Sequence, residues 1–486
     1  MSRTLIRRLT YVSASAVVLL IFWMLIQDFH GINSKPFGSD ALQNVHSSVN
    51  LFKHGVYSSQ PISAEVIPGY RREPFPNFFL GFYLRIKDIL SPGFLDQVGH
   101  PFTESFIAFV RQANLIWAAV LFFGMWFTTR LIISPLLAAH SLAFAEILLV
   151  NKYFVINEVN RLKTELVVAT ILVWLGFFLL MAARSRSWRW LFISGLTFGL
   201  VALTKASAAY VGLVVIPLSA FALSGVSKRF WPLLLAISFG FILTVLPWLV
   251  RNQLHFSKPV IAGGGDDVLL IRSVFNQMNS RQFGDAFYAY APKKVRLDLL
   301  ESSDGLSEAD FSCDGRLAVF TRDLECDREA LKEQRYADVL SFYQRGKRAI
   351  PLELSLDKSQ KMSFALSRFR EKPLNALWTV FPIGWRGFWG FRGETWPGVV
   401  LNFAAYLSLL LAPVLALVER RLSWFMVSIV PVSLFAFYSL FSHFLPRYSS
   451  PFVPVALICL SMLAVDILER LSKRLSSGSK PIVRLS

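Results

Sequence analysis

A set of acids and bases recurs where the apolar runs of this sequence begin or end. Asp40 heads the stretch GSDALQNVHSSVNLFKHGVY, while Arg71, Arg72 and Glu73 stand together in YRREPFP. Arg161, Lys163 and Glu165 fall in NRLKTEL, Lys205 interrupts an apolar run at LTKAS, and Arg251 and Asn252 close LPWLVRN. His443, Arg447 and Tyr448 lie in SHFLPRYSS. A carboxylate can take a proton from an attacking hydroxyl or amine. Arginine binds phosphate bidentately, and lysine binds it as a point charge. Together these groups suit a transfer in which an acid activates a nucleophile and cations hold a departing phosphate. A phosphate leaving group needs little help from a general acid.

The elements that position these groups are membrane helices. The chain has 486 residues, 54% hydrophobic and 14% aromatic, with a mean hydropathy of +0.48 that soluble domains rarely reach. Several apolar runs exceed the roughly 20 residues needed to span a hydrocarbon core of about 30 Å. The ten-residue alternating segments of a transmembrane barrel do not occur. The sequence predicts an all-α polytopic membrane protein of about ten transmembrane helices, with interfacial helices in the first outer loop. A small extramembrane domain, mixed α/β or irregular, is expected beside them. The net charge of +18 follows from basic inner loops and their attraction to anionic membrane lipids, so nucleic acid is not expected as a partner.

Arg3, Arg7 and Arg8 put the N-terminus inside, and the apolar run after them reads as an uncleaved first membrane helix over about 10–27. Further spans are expected at about 106–128, 131–150 and 164–183, then as two helices divided at TKAS, then at about 231–250, 398–418, 423–441 and 451–468. This divides the chain into 1–250, a transmembrane module holding the first outer loop 28–103; 251–376, an extracytoplasmic loop domain; and 377–486, the C-terminal helices and a basic cytoplasmic tail. In the first loop, Leu42, Val45, Val49 and Phe52 recur at helical spacing, opposite Asp40, Asn44, Ser47 and Ser48. Phe75, Phe78, Phe79, Phe82, Ile86 and Ile89 share one face of a second interfacial helix. NKYFVINEVNRLK reads as an outer loop. In this scheme all the singled-out polar groups meet one membrane face, where a lipid phosphate would also lie.

Each group also has a plainer reading. Basic residues at helix ends can snorkel to headgroups, and Asp40 or Glu165 can simply oppose a helix dipole. GGGDD (263–267) lacks the Lys-Ser/Thr of a phosphate loop and reads as a mobile loop. No HExxH, Walker or GxGxxG pattern stands out, and no His/Cys cluster has zinc spacing. Cys459 reads as a small core residue. Cys313 and Cys326 share one polar region and are either a disulfide in an oxidising compartment or two free thiols.

In order along the chain, GSDALQNVHSSVNLFKHGVY, REPFPNFFLGFYL, KTELVVATILVWLGFFLLM, WRWLFISGLTFGLVALTKASAAYV, LPWLVRNQLHFSKPVIAGGG and FLPRYSSPFVPVALICL resemble motifs of the GT-C superfamily of integral membrane glycosyltransferases. The resemblance is to the bacterial branch related to protein O-mannosyltransferases and the lipid A aminoarabinose transferase. It implies an inverting transfer of a sugar from a polyprenyl-phosphate donor to a glycan, lipid or protein acceptor, in a multi-pass inner-membrane protein with its active site toward the periplasm or cell exterior. It assigns catalytic roles to Asp40 and Glu165. It assigns substrate contacts to Arg71, Arg72, Glu73, Lys205, Arg251, Asn252, His443, Arg447 and Tyr448. The family holds both metal-using and metal-independent members, so no cofactor is specified and a divalent metal stays open. Two departures stand out: Ala41 follows Asp40 where a second acid often stands, and Phe75 separates Pro74 from Pro76. Competing expectations are an O-antigen polymerase or ligase acting on diphosphate-linked glycan, and a lipid or glycan transporter.

Overall fold

A computed structural model describes residues 3–62, 65–99, 101–225, 227–300, 305–391 and 395–477. Among them, nine helices are long and apolar enough to cross a membrane, and the shorter apolar helix Trp188–Thr204 lies between two of them. The long helices are α1 (Arg3–His30), α4 (Glu104–Ile132), α5 (Leu136–Val150), α6 (Glu165–Ser185), α8 (Ser207–Ser224), α9 (Phe230–Phe256), α15 (Trp396–Glu419), α16 (Leu422–Phe441) and α17 (Val453–Ser477). Trp188–Thr204 is α7, so the apolar stretch divides at Lys205 and Ala206 as its length demands. The first outer loop contributes α2 (Ser39–His54) and α3 (Pro74–Leu90). Between α9 and α15 the extramembrane segment contains α10 (Gly265–Phe275), α11 (Ser280–Tyr290), α12 (Glu325–Lys332), α13 (Lys358–Glu371) and α14 (Val380–Gly387), joined by short helical turns. No strand occurs among the described residues, so this segment is helical and irregular rather than mixed α/β. Residues 478–486 of the basic tail lie outside the described ones.

Small residues set the closest helix crossing. A Cβ at Gly195 of α7 would stand 2.1 Å from the carbonyl oxygen of Ile237, and one at Gly240 of α9 would stand 2.3 Å from that of Phe192. Only glycine lets these backbones meet, the way small residues let membrane helices approach. The buried core runs without a break from the membrane helices into the extramembrane segment, from Val17 and Ile147 to Phe320 and Phe342.

Three elements differ from the sequence reading. First, α2 is not a plain interfacial helix. Its apolar Val45 and Val49 are buried, and so are Asn44, Ser47 and Ser48 on the other face. α3, Leu162 and the start of α4 supply the apolar neighbours, so the polar face turns inward. By contrast, α3 follows the expectation in part: Phe78, Phe82, Ile86 and Ile89 are exposed, an apolar face suited to lipid, while Phe75 and Phe79 pack against Trp117. Second, α5 continues past Val150 through a π-helical turn, Asn151–Val155, to Ile156–Glu158. Burial of Tyr153, Phe154 and Val155 extends the helix into a stretch read as loop. Third, Arg251 and Asn252 lie inside α9, which continues to Phe256 and ends at Ser257 in the left-handed region (φ 54°). The tri-glycine run is held as well: the Gly263 N–H donates to the Tyr70 carbonyl at 2.9 Å, and α10 begins at Gly265.

Candidate active site

Asp40 sits in the first turn of α2. Its Oδ1 accepts from Arg72 Nη1 at 3.3 Å, and its Oδ2 accepts from Arg447 Nη1 at 2.9 Å. Arg72 precedes α3, where Pro74 starts the helix, and Arg447 lies in the short turn Pro446–Ser449, also begun by a proline. Two cations more than 370 positions apart in sequence thus close on one carboxylate. Asn44, one turn along α2 from Asp40, fixes the geometry. Its amide oxygen accepts from Arg72 Nε at 2.9 Å, and its amide nitrogen donates to the Leu162 carbonyl at 3.0 Å. Burial opposes the charge on Asp40, but Arg72, Arg447 and Lys163 outweigh it and hold the carboxyl below its ordinary range. Lys163 is itself held below its ordinary range by burial and by Arg447.

A second ion pair lies beside the first. Glu165 opens α6, is buried, and faces Lys205 Nζ at 3.6 Å. Lys205 is pressed toward neutrality by burial, but Glu165 prevails and raises its pKa, helped by Tyr438 and Glu73. Lys205 also stands 6.0 Å from the Tyr448 ring centre. Glu73, half-buried at the head of α3, makes no side-chain cap there. Glu158, at the end of the extended α5, brings a further buried carboxylate next to Arg161 at 3.6 Å. The two acids expected to be catalytic therefore differ: Asp40 is about one-third exposed at the side chain, and Glu165 is 4% exposed.

Arg251 lies at a neighbouring groove. Its guanidinium stands 4.8 Å from the Trp248 ring, and it donates to the Gly69 carbonyl at 2.8 Å and to the Asn252 side-chain oxygen at 2.7 Å. Asn252 in turn donates to the Val260 carbonyl at 2.6 Å. A cavity of about 510 Å³ opens between α3, α7 and α9, lined by Tyr57, Phe78, Leu203, Pro247, Trp248 and Arg251 among others. Tyr57 joins this groove to the ion pairs: its hydroxyl lies 3.0 Å from the carbonyl oxygens of both Arg72 and Glu73. At the other flank His443 is buried and within 3.4 Å of the Tyr448 hydroxyl.

The structure thus brings together Asp40, Arg72, Glu73, Glu165, Lys205, Arg447 and Tyr448, with His443 and the Arg251–Asn252 pair at opposite flanks. Arg71 is exposed, and no hydrogen bond or ion pair ties it to the others. Asn44 and Glu158 belong to the neighbourhood but carry little signal in the sequence. Asn44 shows only its place on the polar face of α2. Glu158 shows only its i,i+3 spacing to Arg161. Cys313 and Cys326 form a disulfide with Cα atoms 6.1 Å apart, and Cys459 is buried as expected.

Asp40 and Glu165 are answered by cations, while Glu158 lies close enough to Glu165 for the two charges to oppose each other. Among the described residues, no three His, Cys, Asp or Glu side chains are placed to hold a metal ion. The donor set does not fit a resident divalent cation.

No protein-family model and no curated protein matches the sequence. The architecture matches the apo crystal structure of the oligosaccharyltransferase of Archaeoglobus fulgidus at TM-score 0.50 and 15% identity, over 98% of this chain and 53% of that one. The chain has the GT-C fold. It spans about half the length of the oligosaccharyltransferase chains it matches, 52% for the complex of AglB with an inhibitory peptide and dolichol-phosphate (TM-score 0.48, 13% identity, 97% of this chain). ArnT from Cupriavidus metallidurans bound to undecaprenyl phosphate is a more distant neighbour, at TM-score 0.38 and 12% identity over 93% of this chain and 78% of that one. In this GT-C fold the apolar groove and the Asp40 ion pairs lie at the ends of the membrane helices, beside the first loop.

Proposed function

We propose that this protein is an inverting glycosyltransferase that moves a sugar from a polyprenyl-phosphate donor to an acceptor at the membrane face carrying α2 and α3. The observation that carries this reading is the junction of three features: an apolar groove with an arginine in its wall, a cluster of guanidinium groups, and a partly exposed carboxylate. A lipid chain fits the groove between α3, α7 and α9, with Arg251 beside its phosphate. Arg447 and Arg72 supply charge-assisted contacts to the phosphate oxygens. Lipid-phosphate carriers bound in the archaeal oligosaccharyltransferase and in ArnT accord with such a donor.

In the proposed reaction, the acceptor oxygen forms its bond to the anomeric carbon as the bond from that carbon to the phosphate oxygen breaks. Configuration inverts because attack and departure occur on opposite faces. The acceptor proton passes to Asp40, and the electron pair leaves on the lipid phosphate. Before the donor arrives, Arg72 and Arg447 neutralise Asp40 and make it a poor base. A phosphate that engages those guanidiniums loosens their hold, so donor binding raises the basicity of Asp40 when it is needed. Glu165, buried against Lys205, is a positioning residue in this scheme. The disulfide at 313–326 suits an oxidising compartment, which favours placement of the site on the periplasmic or outer face of an inner membrane.

Purified protein incubated with radiolabelled undecaprenyl-phosphate sugars and membrane glycan extract tests the proposal. Label is expected to move to acceptor with release of undecaprenyl phosphate. A folded sample that releases none, or that consumes only diphosphate-linked glycans, sinks it.

A further inference from the structure

Beyond Arg447 lies a group of cations that the reaction above does not use. Tyr343 is buried in the turn Phe342–Gln344 of the extramembrane segment. The Arg322 guanidinium stands 4.3 Å from its ring centre and donates to its hydroxyl at 3.0 Å, and Lys347 Nζ stands 5.4 Å from the same ring. His443 meets Tyr343 edge-on at 5.3 Å and meets Tyr448 at 5.5 Å. Tyr448 in turn lies 5.5 Å from the Arg447 guanidinium. A file of three rings therefore connects Arg322 and Lys347 to the arginine that holds Asp40.

This cluster is closely packed. A Cβ at Gly346 would stand 2.5 Å from the Ile271 Cα, so glycine alone allows the turn carrying Lys347 to press on α10. The Gln344 side chain donates to the Arg322 carbonyl at 3.0 Å and ties the two segments together.

Its charge is also unbalanced. Nearby Arg296, Arg316 and Lys361 each pair with a carboxylate, Glu308, Asp285 and Asp267 respectively. Neither Arg322 nor Lys347 is ion-paired among the described residues. The groups acting on buried His443 are Arg386, Arg322, Arg447 and Lys347, and with burial they push its imidazole well below its usual pKa. His443 Nδ1 is buried with no hydrogen-bond partner among the described residues. Half-buried Arg322 and exposed Lys347 therefore present one sign of charge at the surface over these buried rings, and a surface of one sign concentrates the opposite ion.

We infer that the file formed by Arg322, Lys347, Tyr343 and His443 seats an anionic group of the acceptor, a phosphate or carboxylate borne on a sugar. This rests on the reading of Asp40 as base and of the α3–α7–α9 groove as the donor's. Contacts run in order from the groove through Tyr57 to Arg72, Asp40, Arg447, Tyr448, His443 and Tyr343. Asp40 therefore stands between the lipid groove and the spare cations. A donor entering from the groove leaves the far end of this run of contacts to the acceptor, and the cations lie at that end. The Arg322 guanidinium and the exposed Lys347 ammonium suit the anion, and half-buried Tyr448 offers the sugar a ring on the side toward Asp40.

The test is binding to the full chain in uncharged detergent, with glucose 6-phosphate, glucuronate, glucose and undecaprenyl phosphate as probes. The parent is expected to bind one or both charged sugars and not glucose, with affinity that falls as salt rises. In the double variant Arg322→Gln/Lys347→Gln that affinity falls about tenfold or more, the scale of losing charge-assisted hydrogen bonds, while undecaprenyl phosphate binds as to the parent. Lys347→Gln alone, at an exposed position, shows part of the loss and guards against misfolding of the double variant. Arg251→Gln does the reverse, weakening undecaprenyl phosphate binding and sparing the charged sugars. The inference is overturned if the parent prefers neither charged sugar to glucose, or if the double variant binds them as the parent does. It is equally overturned if the double variant loses undecaprenyl phosphate, because the cations then serve the donor. Failure of the parent to bind undecaprenyl phosphate strikes instead at the donor reading, which separates the two.

Discussion

Replacing Asp40 by asparagine keeps the side chain's shape and removes both its charge and its basicity. In the parent the two carboxylate oxygens accept from Arg72 at 3.3 Å and Arg447 at 2.9 Å. Positioned general bases contribute about 10²–10⁴-fold to rate, so single-turnover sugar transfer in Asp40→Asn is expected to fall by that factor. Donor affinity should move the other way. The carboxylate and the donor phosphate draw on the same two guanidiniums, so removing one competitor leaves the other held at least as tightly. The effect on folding is modest, about 1–2 kcal/mol, above that of an exposed pair because the Arg72 side chain is only 16% exposed and below that of a sealed pair because Asp40 keeps 32% exposure. The assay uses protein in nanodiscs, with rapid-quench transfer from labelled donor, a separate donor-binding titration and a thermal unfolding scan. Transfer at the parent rate in a folded sample refutes the base assignment. Loss of donor affinity in parallel with the rate makes Asp40 a scaffold for Arg72 and Arg447 instead.

Four further outcomes follow from the same geometry. Since Asp40 must be ionised and its cations hold its pKa below the ordinary 3.8, kcat/KM, which reports free enzyme, should fall with acid only below about pH 4, whereas the acid limb of kcat should lie higher because bound donor draws the arginines away. Lys205→Met should destabilise the protein by about 3–5 kcal/mol by stranding buried Glu165, and Glu165→Leu in the same chain should recover most of that loss in thermal unfolding; no recovery would show that the two are not a pair. Excess EDTA should leave transfer within about twofold of its starting rate, since no carboxylate set among the described residues is placed to hold Mg²⁺ or Mn²⁺; metal-restorable inactivation would contradict this. Reduction of the Cys313–Cys326 disulfide, which closes a loop over a sequence separation of 13, should cost about 3 kcal/mol and appear as faster proteolysis of the extramembrane segment.

Much of the fold is legible because membrane crossing is a matter of length and apolarity. The long runs gave the spans. The break at Lys205 followed from a run too long for one crossing. What escaped was anything decided by a neighbour. Tyr153, Phe154 and Val155 extend α5 because other helices cover them, and that extension delivers Glu158. α2 shows an amphipathic pattern, yet its polar face is buried because it faces Arg72 and the Leu162 carbonyl rather than water.

The candidate site divides in the same way. Residue types and positions at helix ends, with their resemblance to membrane glycosyltransferase motifs, were enough to single out Asp40, Arg72, Glu165, Lys205 and Arg447. Pairing was not: nothing in the sequence says that Arg447 closes on Asp40 across 407 positions, or that Glu165 is sealed against Lys205 while Asp40 keeps access to solvent. Arg322 and Lys347 carried no signal at all, being two bases among many in a polar segment. They stand out only once the fold sets them both on the Tyr343 ring, with no ion pair to either among the described residues. Local sequence determines which groups a helix end can offer, because hydrophobicity and helical periodicity act over a few turns. Tertiary structure alone decides which charges meet and which stay uncompensated, because ion pairing acts through space over a few ångströms.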